Sequence, residues 1–183
     1  MPTDSLSRDD ILKAFQALSD ELASRNIKGE LCLFDGTVMV LAYGARLATK
    51  DVDAIFQPAQ IVREAAIKIA DQTGLPENWL NDAVKGYVSA NHQTFEGNLP
   101  QFPNLHLVMP TADYLLAMKC LASRIESTKP EGGDVKDIIF LIRHLKLKST
   151  REVMDVVSAY YPMNQIPVKA QYLVESLFEE KRV

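Results

Sequence analysis

From Ser7 to Arg25 the apolar residues Ile11, Phe15, Leu18 and Leu22 recur at the three-and-four spacing of one helix face. Ser7 stands where an N-cap belongs, and Asp10 follows three positions on, a variant of the capping box. "NIKG" ends this helix, and "ELCLF" then reads as a short strand broken by Asp35-Gly36. "TVMVLAYGA" is short and apolar, compatible with a helix packed on the sheet. "KDVDAIF" alternates: Val52, Ala54 and Phe56 face one way, and Asp51, Asp53 and Ile55 the other. Pro58 opens a second helix, which Gly74 stops. Residues 75–104 read as an irregular connection, long enough to be functional or to wrap the core. "LHLVM" is a third strand, and Thr111 caps the helix "ADYLLAMKCLASRI". "STKPEGG" reads as a flexible break. The helices "DVKDIIFLIRHLKL", "REVMDVVSAYY" (stopped by Pro162) and the amphipathic "QIPVKAQYLVESLFEEKRV" follow.

This order predicts an α+β protein: a small mixed sheet with flanking helices, then a helical bundle. The expected division is an α/β core over 1–110 and a helical bundle packed on it over 111–183. Composition changes little in this picture. The chain has 183 residues, 47% hydrophobic and 24% charged, close to the globular average. No apolar run reaches membrane-spanning length, and the polar, acidic start shows no signal peptide, so the expected setting is the cytoplasm, with no membrane partner. Cys32 and Cys120 lie in apolar segments and read as buried thiols. A net charge of −4 argues against coating nucleic acid through bulk charge, although a local basic patch is compatible with it.

The candidate chemistry lies between Leu33 and Phe56. Residues two apart on a strand project to one face, roughly 7 Å apart. Asp51 and Asp53 therefore point together, and two like charges so close repel unless something positive stands between them. One reading is a polar, solvent-facing sheet surface. The other is a Mg²⁺ site, because Mg²⁺ takes one or two carboxylates together with water and substrate phosphates. The strand, glycine turn and helix start just upstream would offer backbone amides to a phosphate, and Arg46 and Lys50 supply positive charge beside the carboxylates.

The run "DGTVMVLAYGARLATKDVDAIF" resembles the minimal bacterial nucleotidyltransferases of the abortive-infection and toxin–antitoxin type. Those carry a Gly-Gly run, an Arg, and Thr-Lys-Asp-hydrophobic-Asp. Downstream, "MPTADYLLAMKCLASRIESTKPEGGDVKDIIFL" is similar to that family's second signature, a Leu-Leu-x-x-Lys helix followed by an Asp-x-x-Asp helix. The likeness spans roughly Glu30 to Leu145. It implies Mg²⁺-dependent transfer of a nucleotide from an NTP to an RNA acceptor, such as a tRNA end, or to a protein hydroxyl. It also implies a possible cognate antitoxin or other partner protein. By resemblance, Asp51 and Asp53 hold metal, Gly36 and Thr37 form the phosphate cradle, and Arg46, Lys50 and Lys119 face the triphosphate. Asp134 and Asp137 would orient Lys119 or the acceptor, and Lys119 joins the two aspartates in the catalytic set.

Two departures from the family pattern stand out. Asp35 occupies a turn position where glycine is usual, and a carboxylate about 4 Å from a phosphate oxygen opposes binding by roughly 1 kcal/mol in water and about 4 kcal/mol at an effective dielectric near 20. A third carboxylate is often carried by a later strand, where this chain offers Asn104 and His106. Both departures favour the alternative of a degenerate nucleotidyltransferase-like module that binds nucleotide or a partner protein without turnover. Among other features, the scattered His92, His106 and His144 do not make a zinc motif. "IRHLKLK" reads as a solvated helix end, Arg124 as a surface charge, and Trp79 as the anchor of the long connection.

Overall fold

The computed structural model describes residues 5–123 and 133–183. The chain is α+β, as the alternation of periods predicts. It divides into two compact units: residues Met1–Gly86 with Thr94–Pro110, and residues Tyr87–Gln93 with Thr111–Val183.

The first unit is built on a five-stranded mixed sheet. In chain order its elements are β1 (Leu6–Ser7), α1 (Arg8–Ser24), β2 (Gly29–Leu33), α2 (Asp35–Leu41), β3 (Ala48–Thr49) and β4 (Val52–Gln57). They continue with α3 (Ala59–Thr73), β5 (Leu80–Asn81), β6 (Thr94–Phe95) and β7 (Leu105–Pro110). The strand order is β5-β4-β2-β7-β6, while β1 and β3 form a separate two-stranded pair. β2 is central, antiparallel to β4 and parallel to β7. Its side chains Leu31, Cys32 and Leu33 are buried, as expected of a strand covered on both faces.

The start of α1 follows its sequence signal. Ser7 Oγ accepts from the Asp10 amide at 3.3 Å, and Asp10 Oδ2 accepts from the Ser7 amide at 2.9 Å, completing the capping box. The Ser7 hydroxyl also donates to Asp10 Oδ2 at 2.6 Å, and this bond first, with that from the Ser7 amide, holds the Asp10 carboxyl below the usual carboxylate range. Ile11, Phe15, Leu18 and Leu22 are buried on the inner face. Gly74, at φ +75°, ends α3, a left-handed position that glycine adopts without steric cost.

The connection after α3 differs from the expectation of irregular chain. It carries β5, a 3-10 turn at Ala83–Tyr87, and β6. Strands of two residues have no alternation to read, so pairing with β4 and β7 defines them. Trp79 anchors this stretch. It is fully buried, its ring lies 6.3 Å from Phe15, and Nε1 donates to the Ala66 carbonyl at 3.0 Å. The pair β1–β3 was equally invisible to periodicity. It brings Leu6 opposite Thr49, while Arg8 Nη1 donates to the Leu41 carbonyl at 2.7 Å and so satisfies the end of α2.

The second unit contains α4 (Ala112–Ala122), α5 (Gly133–His144), α6 (Thr150–Tyr160) and α7 (Val168–Glu179). The segment 87–93 belongs here, not to the sheet unit as its place in the sequence suggested. It is held by polar bonds: the Ser89 amide donates to Tyr114 Oη at 2.9 Å, and Asn91 Nδ2 donates to the Ala159 carbonyl at 2.9 Å. Thr111 occupies the N-cap position of α4, but its hydroxyl makes no capping bond. Arg124 and most of the "STKPEGG" break lie outside the described residues. Both thiols are buried, which pushes Cys32 and Cys120 up to about 12. Among the described residues, no helix is long and apolar enough to cross a membrane.

Candidate functional site

The polar side of β4 carries the candidate residues of the sheet unit. Val52, Ala54 and Phe56 are buried, so the intervening Asp53, and Asp51 just before the strand, take the opposite side. Asp51 precedes β4 instead of lying within it. Its position is fixed by neighbours on three elements. The Thr37 hydroxyl of α2 donates to the Asp51 carbonyl at 3.3 Å, and the Thr49 hydroxyl of β3 donates to the same oxygen at 3.2 Å. Asn81 Nδ2 of β5 donates to the Asp51 carboxylate at 3.2 Å. Asp53 is fixed through its backbone, since its carbonyl accepts from the Phe34 amide at 2.9 Å, and it stands beside Asn81 in the parallel register of β4 and β5.

The electrostatics around Asp51 oppose a bare carboxylate. Burial raises the Asp51 carboxyl above its ordinary range, and the charge of Asp35 adds to that. Lys50 and the Asn81 amide pull the other way without cancelling it. Asp35 itself adopts φ +52° at the first position of α2. This is the backbone conformation that glycine takes freely and that aspartate tolerates better than most residues.

Gly36 and Thr37 have a bracing geometry. A Cβ on Gly36 would sit 2.3 Å from Thr49 Oγ1 and 3.1 Å from Arg46 Nη1, so the missing side chain lets β3 and Arg46 close onto the turn. Thr37 is wholly buried, its hydroxyl spent on Asp51. Arg46 beside Gly36 and the exposed Lys50 next to Asp51 bring positive charge to this part of the unit.

The helical unit contains its own charged group. Lys119, on the apolar helix α4, is only 6% exposed and Asp137 of α5 only 2%, so this is a buried ion pair and not a snorkelling surface lysine. Lys119 Nζ lies 2.5 Å from Asp137 Oδ2 and 3.3 Å from Asp134 Oδ1. Asp134 and Asp137, three apart on α5, thus converge on one ammonium. Carboxylate oxygens able to serve a metal ion are offered by Asp35 in the first unit and by Asp134 and Asp137 in the second.

No family model, curated protein or solved structure matches the chain.

Of the residues singled out from sequence, the sheet unit gathers Gly36, Thr37, Arg46, Lys50, Asp51 and Asp53. The helical unit gathers Lys119, Asp134 and Asp137. Asn81 and Thr49 were missed as supports of Asp51. Thr49 was visible inside the Thr-Lys-Asp-Val-Asp run, whereas Asn81 sits in a stretch with no periodic signal. Asn104 and His106 have other partners. The Asn104 backbone amide donates to Ser19 Oγ at 3.0 Å, and both ring nitrogens of His106 face glutamates.

Proposed function

We propose that this chain is a Mg²⁺-dependent nucleotidyltransferase, moving a nucleotide from an NTP to a hydroxyl of an RNA, such as a tRNA end, or of a protein. The reading rests on one observation: Asp51 and Asp53 share the polar side of β4, and Asp51 is braced by Thr37, Thr49 and Asn81 in a place where burial and Asp35 disfavour its charge. A divalent cation would offset that cost. An all-oxygen carboxylate set suits Mg²⁺, a hard cation. When bound, Mg²⁺ would supply charge neutralisation at the phosphates. In this reading Asp51 and Asp53 hold the metal, Arg46 and Lys50 draw in the triphosphate, and Gly36, Thr37 and Asn81 keep Asp51 in position. The acceptor hydroxyl gives up its proton to solvent water as its oxygen bonds to the α-phosphorus, the bond from that phosphorus to the bridging oxygen breaks, and pyrophosphate leaves. Partnership with a cognate antitoxin in the cytoplasm follows from the resemblance alone.

Asp35 favours a second reading, a module that binds nucleotide or a partner protein without turnover, since it adds negative charge beside the metal-binding pair. One experiment separates the two. The protein is incubated with each α-labelled NTP, Mg²⁺, total RNA and total protein, alongside an Asp51→Asn/Asp53→Asn variant. Label in RNA or protein that the double variant fails to transfer supports catalysis. Nucleotide binding with no transfer to either acceptor supports the binding module.

A further inference from the structure

His106 on β7 stands opposite Glu30 of β2 in the parallel register. Both of its ring nitrogens face carboxylates: Nδ1 lies 3.0 Å from Glu30 Oε2, and Nε2 lies 2.7 Å from Glu96 Oε1. A neutral imidazole has one N–H and one lone pair, so it can donate to only one of them. The other carboxylate would then meet a lone pair. An imidazolium donates to both, and the two-sided geometry therefore selects the charged ring. Among the described residues, Glu30 from β2 and Glu96 from the turn after β6 are the charged groups that act on this ring. Their hydrogen bonds, Glu30 first, lift the imidazole above its ordinary value against a small opposing effect of burial.

What Glu96 fastens is thinly held. β6 has two residues, pairing Thr94 with Pro110 and Phe95 with Met109, and Pro110 has no N–H to give to the ladder. The turn that follows is closed by the Leu99 amide donating to the Glu96 carbonyl at 3.3 Å. It passes through Gly97 at φ +58°, where an added Cβ would lie 3.3 Å from both Phe95 and Met109. Glu30, by contrast, is set in the central strand of the sheet.

We propose that His106 is a pH-operated latch: protonated, it ties the edge strand β6 and its turn to β7 and β2, and on losing its proton it releases Glu96. The direction follows from linkage. A group that binds its proton more tightly in the folded state stabilises that state fully at low pH, and the contribution is lost as pH rises through the raised midpoint. This inference is independent of the nucleotidyltransferase reading and involves none of its residues.

The test is an NMR titration of the His106 ring, combined with amide-exchange protection of Leu99 on either side of the midpoint. The ring should titrate above about 6.5. Leu99 protection should fall about two- to five-fold as the ring loses its proton, the scale of one exposed ion pair. Glu96 is exposed, so Glu96→Gln should fold normally, lower the ring's midpoint and abolish the step. His106→Gln should show the weaker protection at every pH. A ring that titrates at or below about 6.5, or a Leu99 step absent from the wild type or retained in Glu96→Gln, overturns the latch.

Discussion

Replacing Lys119 by alanine probes the buried ion pair of the helical unit. Asp137 is 2% exposed, and its Oδ2 lies 2.5 Å from the Lys119 ammonium. The substitution takes the Lys119 ammonium away from a buried carboxylate. Removing one partner of a buried pair costs about 3–5 kcal/mol. For a chain of this size each kcal/mol lowers the melting midpoint by about 2–4 °C, so a fall of about 6–20 °C is expected. Exchanging both charges for apolar residues of similar volume, Lys119→Met with Asp137→Leu, should be neutral or stabilising, because both desolvation penalties vanish together. Asp134 is a different case. It is half-buried and 3.3 Å from the ammonium, so Asp134→Asn should cost at most about 1 kcal/mol. Thermal and urea unfolding of the single variants and of the double variant test this directly. A loss below about 1 kcal/mol in Lys119→Ala, or a double variant as unstable as that single one, would refute the assignment of a desolvated pair.

Other predictions concern the sheet unit. Gly36→Ala places a methyl 2.3 Å from Thr49 Oγ1 and should destabilise by about 1–3 kcal/mol in urea unfolding; adding Thr49→Ala should recover part of that loss. Ser7→Ala removes the cap of α1 and should cost about 1 kcal/mol. The cap's linked carboxyl, Asp10, is held low by Ser7, so its stabilisation should fade as acid protonates it. Asp35→Gly relieves a positive φ and removes a charge that lifts the Asp51 carboxyl; a carbon-detected titration should show the Asp51 midpoint moving down. A carboxyl raised by folding binds its proton more tightly in the folded state, so it weighs against stability as pH rises. That loss of stability with rising pH should be smaller in Asp35→Gly.

The legibility of the fold tracked the length of each periodic signal. Helix α1, with its Ser7–Asp10 box, and strand β4, with Val52, Ala54 and Phe56 alternating against Asp53, could be read because each repeats its pattern several times. The two-residue strands β1, β3, β5 and β6 could not, since long-range pairing alone defines them. The excursion of 87–93 into the helical unit depends on Ser89 meeting Tyr114 and Tyr160, partners 25 and 71 residues away, which no local rule anticipates. At the candidate site the carboxylates were legible as a spacing, and Lys119 as a charge in an apolar helix. The bracing of Asp51 by Asn81 was not, because it depends on β5 lying parallel to β4. Nor was the role of Gly36, whose missing Cβ matters only once β3 closes against it.

The most direct test of the central claim is calorimetric titration of the intact chain with each NTP, with and without Mg²⁺, against Asp51→Asn/Asp53→Asn. The account predicts binding heat that requires Mg²⁺ and disappears in the double variant while its circular dichroism and melting remain those of a folded protein. Binding that is indifferent to Mg²⁺, binding retained by the double variant, or no heat with any NTP would contradict it.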